Sequence, residues 1–263
     1  MRRQLSLLAV AALALALTGC IAPPPLPSAS VDAAAPQTAS PTEGQGADAS
    51  QQPGAPVWPA NMASYGVIFT AEGVLETPRA GAQREEVAVA APHAILYVDF
   101  SCPHCGTFTR THAGDLAAAV DAGEIVLELR PMAFLDSATN DEHSTRAANA
   151  FAAVVDEFPE SAWAYYVALF EAQQEGSEAG LPDDGLIELA SSTGAASEQL
   201  TARIEAVALR DFTAAATSAG LEQPISAGGP TITGTPSLFL DGVQFTGGND
   251  EPGAVATFIA DQT

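Results

Sequence analysis

The sequence predicts an α/β domain that carries an inserted helical block and follows an N-terminal signal peptide and a disordered tether. Three observations support this fold class. A continuous apolar run of strand type at residues 94–98 leads directly into the start of a helix. An alanine-rich helical pattern occupies about residues 138–225, and two short strand-type segments follow between residues 237 and 245. The predicted order is strand, helix, strand, helical block, two strands and a final helix.

The first twenty residues have the features of a targeting signal. Two arginines precede an apolar stretch at residues 5–17, which is too short to span a bilayer comfortably. The stretch closes on Leu17-Thr18-Gly19-Cys20, which resembles the bacterial lipobox, in which a lipid is attached to the cysteine. The alternative is an ordinary secretory signal in which Cys20 is incidental. We therefore expect an exported protein, anchored to the outer face of the cell membrane by a lipid on Cys20.

Residues 21–62 consist mainly of proline, alanine, serine, glutamine, glycine and threonine, with almost no periodic apolar pattern. Such a composition buries too little surface to offset chain entropy, so this segment is predicted to be a disordered tether. Residues 63–263 then form the folded domain, with the helical insertion at about residues 138–225.

The charge balance excludes one class of partner. The formal net charge is −23, and all nine basic residues are arginine. Nucleic-acid binding requires clustered cations, so no nucleic-acid partner is expected. The same acidity disfavours electrostatic docking on anionic lipid, so the lipid on Cys20 has to supply the membrane attachment.

Periodicity predicts the first elements of the domain. Residues 65–70 and 73–77 are predicted to form a hairpin, and residues 125–129 to form a strand after the one at 94–98. Between these two strands, a helix begins at Pro103, where the missing N–H is harmless, and ends at Gly123. Strand, helix and strand together form a βαβ unit.

The later elements follow from the same patterns. Asp241-Gly242, a dipeptide favoured in tight hairpin turns, separates the two short strands near the C-terminus, and a last helix begins at Asp250. The helical block is predicted to contain four helices, at residues 146–158, 161–174, 184–192 and 198–217.

The chain has three cysteines, and two of them carry the candidate chemistry. With Cys20 assigned to lipid, Cys102 and Cys105 form the only redox element available. Cys102 lies where a buried strand meets a helix N-terminus, whose unpaired N–H groups and dipole favour the thiolate. Cys105, one turn later, can close a disulfide with Cys102. His104 can place its ring near the Cys102 sulfur and favour the thiolate further.

The histidines leave a second hypothesis open. His112 shares a helical face with Cys105, so that Cys102, Cys105, His104 and His112 could be zinc ligands. The periodic series of apolar residues around His112 favours a half-buried core histidine instead, and no metal site is predicted. The isolated residues His93 and His143 are expected to be solvated.

The motif Asp99-x-x-Cys102-Pro103-His104-Cys105, a helical insertion, and Gly234-Thr235-Pro236-Ser237 before a hairpin resemble the DsbA-like branch of the thioredoxin superfamily. The resemblance covers about residues 65–263 and implies a thioredoxin-like fold with an inserted helical subdomain. It further implies that Pro236 is cis and faces the cysteine pair as part of the catalytic site. By the same resemblance, Thr235 offers its backbone to an extended substrate segment.

Two positions depart from the family pattern. The acid that many members carry six residues before the first cysteine is Leu96 here, which leaves the proton acceptor for Cys105 unassigned. Asp99 is a candidate, and a strand-end aspartate that caps or faces solvent is the alternative. Thr235 precedes the proline where the family's oxidases often have valine and its isomerases threonine, so the direction of electron flow stays open.

The resemblance implies a protein disulfide oxidoreductase, and a dithiol oxidase that introduces disulfides into exported proteins is the leading hypothesis. It requires no cofactor beyond the redox-active disulfide Cys102–Cys105. Its expected partners are cysteine-containing exported proteins and a quinone-linked membrane protein that reoxidises the pair. The alternatives are a disulfide reductase or isomerase, a metal-binding lipoprotein that uses the same two thiols, and a redox-silent binding module.

Overall fold

A computed structural model of the chain describes residues 58–79, 85–89, 92–173, 180–225 and 229–263. The predicted signal peptide with Cys20, and the predicted tether as far as residue 57, lie outside the described residues. Within the described ranges, no helix is both long enough and apolar enough to cross a bilayer.

In the described part of the chain, six strands form one mixed sheet in the order β2-β1-β4-β3-β5-β6. β3 and β4 pair in parallel, and all other neighbours pair antiparallel. β3 lies between β4 and β5 and is buried from Ala94 to Asp99, as its continuous apolar run predicts. The strands are β1 (Val67–Thr70), β2 (Gly73–Val74), β3 (His93–Asp99), β4 (Val126–Met132), β5 (Ser237–Leu240) and β6 (Val243–Gln244).

The helices follow the predicted order. The crossover from β3 to β4 is α1 (Pro103–Asp121), which packs against α3 and α7, and α6 packs on β4. The βαβ unit, the helical block, the C-terminal strand pair and the last helix are therefore confirmed. After α1 come α2 (His143–Glu157), a 3₁₀ turn (Pro159–Ser161), α3 (Ala162–Glu171), α4 (Asp183–Ser192), α5 (Glu198–Glu205), α6 (Arg210–Glu222) and α7 (Ala254–Gln262).

One predicted helix is two. The segment predicted as a single helix at residues 198–217 breaks between α5 and α6, where Val207 has a φ of 45°. Asn149, which is fully buried on α2, bonds to both sides of the break: its Nδ2 donates to Arg203 O, and its Oδ1 accepts from Leu209 N. These bonds satisfy backbone groups that a continuous helix would have paired internally. The break therefore depends on a contact between distant residues that periodicity does not contain.

The packed domain begins earlier than predicted. Residues 58–62 were assigned to the tether, but Met62 is fully buried and the Trp58 ring packs edge-on against Phe212, with its centroid 5.7 Å away. The Ala60 amide donates to Asp156 Oδ1 at 2.8 Å. Residues 58–62 therefore belong to the packed domain, because their few apolar side chains contact partners far along the chain.

The paired strands β3 and β4 carry a cluster of charged and polar side chains that is largely buried. Arg130 Nε lies 2.6 Å from Glu128 Oε1, and Arg130 Nη1 donates to Tyr97 Oη at 2.6 Å. His93 Nε2 lies 3.1 Å from Glu128 Oε2. Burial alone would raise the pKa of Glu128, but the adjacent Arg130 guanidinium holds it at about 2. Glu128 and Arg130 are therefore both ionised inside the protein and depend on each other.

Candidate active site

The end of β3 delivers Cys102 to the start of α1. Cys102 is the N-cap residue, with extended backbone angles, and Pro103 follows inside the first turn. The Cys102 amide donates to Asp99 O at 2.9 Å, and the Gly106 amide donates to Cys102 O at 3.2 Å. The sulfur therefore lies at the positive end of a 19-residue helix, where an anion is stabilised.

The two thiols differ in accessibility. Cys102 retains 4 % of its surface, whereas Cys105 is completely buried, and both are free thiols in this structure. Of the two sulfurs, Cys102 is therefore the one nearer to solvent, and Cys105 lies behind it. This asymmetry matches a nucleophile and a resolving cysteine.

The Thr235–Pro236 peptide bond is cis, as the resemblance implies. Because β5 pairs with β3, the residues just before β5 lie beside the end of β3 and the start of α1. Cys102 Sγ lies 3.3 Å from Thr235 O, across 133 residues of sequence. The sheet thus brings Cys102, Cys105, Thr235 and Pro236 to one place, as predicted.

The surroundings move the two thiol pKa values in opposite directions. A hydrogen bond from the Cys105 thiol lowers the pKa of Cys102 to about 5, although burial opposes this shift. The Thr235 side chain and the backbone amides of Cys105 and His104 lower the pKa of Cys102 further. Burial, and then the neighbouring Cys102 sulfur, raise the pKa of Cys105 well above its usual value. At neutral pH, the reduced site therefore holds one thiolate and one thiol, and the thiolate is the outer one.

His104 is exposed at the surface, and its backbone amide is among the groups that lower the pKa of Cys102. The contribution of its ring, expected from the sequence, stays a prediction. The helix N-terminus supplies part of the stabilisation, after the hydrogen bond from Cys105.

Asp99 takes a structural position. Its buried carboxylate accepts from the amides of Ser101, Phe134 and Leu135 and from the Ser144 hydroxyl, at 2.6 to 3.2 Å. Burial raises its pKa to about 6, although these hydrogen bonds oppose the shift. The alternative was a strand-end aspartate that caps or faces solvent. The first half is correct, because the carboxylate binds backbone amides of the active-site turn and of the loop after β4. The second half is wrong, because Asp99 is fully buried.

Sequence reasoning missed Gln173. Its Nε2 donates to Phe100 O at 3.3 Å and to Cys102 O at 3.1 Å. A Cβ at position 106 would collide with its Oε1, so a larger residue there would have to displace the Gln173 side chain. Gln173 thereby ties the helical block to the turn that carries the nucleophile. No local signal marks it, since it lies 71 residues from Cys102.

The remaining histidines have other partners. His112 is fully buried, not half-buried, and its Nε2 lies 3.1 Å from Gly248 O, while its ring packs on Phe108. His143, expected to be solvated, is 6 % exposed. Among the described residues, no group of three or more histidine, cysteine, aspartate or glutamate side chains is arranged to hold a metal ion.

The pKa of Cys102 should depend on Cys105. Replacing Cys105 by alanine removes the hydrogen bond that lowers the Cys102 pKa most, so we expect that pKa to rise clearly above 5. The ultraviolet absorbance of the thiolate, followed against pH, measures it. Cys105→Ser keeps a hydroxyl donor and should raise the pKa less. Equal values in the wild-type protein and Cys105→Ala would contradict the assignment of this hydrogen bond.

Comparisons with known proteins agree with this geometry. The sequence model of a thioredoxin family matches residues 88–260. No curated protein sequence matches the chain. Among solved structures, oxidised DsbA from Mycobacterium tuberculosis is similar, with 25 % identity and a TM-score of 0.54 over 74 % of this chain and 91 % of that one.

Two further solved structures share the fold. The reduced disulfide bond oxidoreductase DsbG from Mycobacterium tuberculosis has 24 % identity and a TM-score of 0.59, over 74 % of this chain and 86 % of that one. The thiol-disulfide oxidoreductase MdbA from Corynebacterium diphtheriae has 24 % identity and a TM-score of 0.53, over 79 % and 93 %. The chain therefore belongs to the thioredoxin family, as a DsbA-like thiol–disulfide oxidoreductase.

Proposed function

We propose that the protein is a dithiol oxidase that introduces disulfides into exported proteins through the Cys102–Cys105 pair. The opposite displacement of the two thiol pKa values carries this proposal. A thiolate stabilised at Cys102 stabilises the reduced form, and a stabilised reduced form makes the disulfide a stronger oxidant.

The proposed reaction has two exchange steps. In the first, a client thiolate attacks Cys102 Sγ of the disulfide, the Cys102–Cys105 bond breaks, and Cys105 leaves and takes up a proton. A second client thiolate attacks the mixed disulfide, the client disulfide forms, and Cys102 leaves as a thiolate. Two electrons pass from the client to the pair. Of the two protons lost by the client thiols, one is retained on Cys105 and the other is released.

The neighbouring residues have supporting roles in this proposal. The backbone of Thr235, with its carbonyl 3.3 Å from Cys102 Sγ, offers a strand edge to an extended client segment, and Pro236 forms the other side of that loop. His104 acts through its amide on the Cys102 sulfur. Cysteine-containing exported proteins are then the substrates, and the disulfide itself is the only redox group needed.

The cellular setting is part of the same proposal. A lipid on Cys20 would hold the domain at the outer face of the membrane. There, a quinone-linked membrane protein could accept the two electrons and restore the Cys102–Cys105 disulfide. Mass spectrometry of the membrane fraction tests the anchor, since a diacylated Cys20 at the mature N-terminus is expected and an unmodified one would contradict it.

The redox potential tests the direction of electron flow. Thioredoxin, with a nucleophile pKa of about 7, has a potential of about −270 mV, and DsbA, with about 3.5, has about −120 mV. A Cys102 pKa of about 5 lies between them. One pKa unit of the nucleophile corresponds to about a tenfold change in the equilibrium constant, which shifts the reduction potential by about 30 mV. Counting from the two reference proteins, we expect a reduction potential of about −220 to −160 mV at pH 7.

Equilibration with glutathione buffers, read out by alkylation of the free thiols, gives this potential. A value near or below that of thioredoxin would overturn the oxidase assignment. It would favour the alternative of a reductase or isomerase, in which electrons flow from Cys102 and Cys105 to client disulfides.

A further inference from the structure

A cavity of about 860 Å³ opens beside the cysteine pair, on the side of α1 that faces the helical block. Ser101 and Pro103, which flank Cys102, form its near end. Pro103, Thr107 and Arg110 recur along α1 at helical spacing, so one face of this helix lines the cavity, together with Leu135 and Asn140 from the segment after β4. The lining on α1 therefore runs from Pro103, the residue after the nucleophile, to Arg110.

Arg110 differs from the other arginines that the structure describes. It is exposed, and its Nη1 donates to Phe170 O at 2.9 Å, which draws the guanidinium toward α3. In the described part of the chain, no carboxylate lies within ion-pair distance of it. Ion pairs are formed by each of the others, Arg79, Arg130, Arg146, Arg203 and Arg210. In a protein with a net charge of −23, an arginine that has no ion-pair partner among the described residues and lines a cavity beside the active site is suited to an anionic ligand.

His143 supplies a second polar group at the cavity, the Nε2 atom of its ring. It is 6 % exposed and lines the cavity, and its Nδ1 lies 3.2 Å from Ser101 Oγ. Its Nε2 has no hydrogen-bond partner among the residues that the structure describes. A buried ring nitrogen without a partner costs free energy unless a ligand or water satisfies it. Arg110 and His143 thus provide two polar groups at the wall of one cavity.

We propose that this cavity binds the segment of a client polypeptide next to the reacting cysteine, and that Arg110 selects clients with an acidic residue there. The proposal rests on the proposed function, because it requires a client sulfur at Cys102. Seven residues of helix separate Pro103 from Arg110, about 10 Å at about 1.5 Å per residue. An extended client advances about 3.3 Å per residue, so the acid lies about three residues from the client cysteine.

The test compares dithiol peptides that differ only in Asp or Asn three residues from the attacking cysteine, on either side. The measurement is kcat/KM for their oxidation, with glutathione disulfide as terminal oxidant. We expect the wild-type protein to prefer the Asp peptide about fivefold at low salt, through KM, and less in high salt. Arg110→Lys should retain most of the preference, and Arg110→Gln should abolish it.

Arg79→Gln is the matched control, because it removes the same charge from a partly exposed arginine that does not line the cavity, and its partner Asp156 keeps Arg203 as a second cation. This variant should leave the preference unchanged. Equal kcat/KM for both peptides in the wild-type protein, or a preference that survives Arg110→Gln, would overturn the proposal and leave the oxidase function standing. If neither peptide is oxidised, the proposed function fails. Calorimetric binding of peptides with serine in place of cysteine then decides on the cavity alone, with tighter binding of the Asp peptide supporting it and equal binding refuting it.

Discussion

Replacing Cys102 by serine is expected to lower the rate of client oxidation by a factor on the order of 10³ or more. The hydroxyl of serine does not ionise near neutral pH and forms no disulfide, so no electrons can enter the pair. Cys105→Ser should also prevent turnover, but for a different reason. Its free Cys102 thiolate can still exchange with a client disulfide, and no buried thiol is present to resolve the product.

The two variants are therefore distinguished by what accumulates. We expect covalent complexes between Cys105→Ser and client proteins on non-reducing gels, and none with Cys102→Ser. Circular dichroism controls for folding, since both replacements are nearly isosteric. Unimpaired turnover by Cys102→Ser, or client complexes formed through Cys105 instead, would refute the assigned roles.

Arg130→Met is expected to destabilise the domain by about 3–5 kcal/mol, the largest effect we predict outside the redox site. The side chains of Glu128 and Arg130 are 1 % and 7 % exposed, so Glu128 would be left as a buried charge without its cation. Tyr97 would also lose the partner of its hydroxyl. Urea unfolding followed by circular dichroism measures the change.

The double variant Glu128→Leu with Arg130→Met is the control, because it removes both charges. It should recover most of the lost stability, since an apolar pair of similar volume often replaces a buried ion pair at little cost. If the double variant is less stable than Arg130→Met alone, the buried charge is not the cause of the loss.

The ion pair of Glu128 and Arg130 also determines whether the free energy of unfolding rises or falls with pH. In the wild-type protein, the pKa of Glu128 is lowered from 4.5 to about 2, so its contribution is complete above pH 4.5 and is lost as the pH falls toward 2. In Arg130→Met, burial without the guanidinium raises that pKa instead. The variant should therefore lose stability as the pH rises through the acid range, opposite to the wild-type protein.

Much of the active site was predictable because the residues that carry its chemistry are close together in the sequence. A continuous apolar strand followed by Cys102, Pro103 and Cys105 indicates a thiol at a helix N-terminus, and the structure contains that junction. The Thr235–Pro236 loop was predictable by resemblance. The exposure of His104 was not predictable, because only the folded chain shows how much of this residue the surroundings cover.

Other features escaped the sequence because their partners are far apart along the chain. The break between α5 and α6 depends on Asn149 of another helix, and the burial of residues 58–62 depends on Phe212 and Asp156. In the sequence of β4, Glu128 and Arg130 are charged residues between apolar ones, as at the solvent-facing positions of an ordinary strand. The fold buries them together instead, where each supplies the charge that the other needs.

By itself, the sequence determined the order of strands and helices, the cysteine pair and its place at a helix N-terminus, since periodicity and helix capping act over a few residues. The tertiary structure alone decided which thiol is nearer to solvent, in which direction each thiol pKa is displaced, and that Gln173, Arg110 and His143 line one cavity beside the cysteine pair. These properties depend on desolvation and on hydrogen bonds whose two ends meet only after the sheet and the helical block have packed.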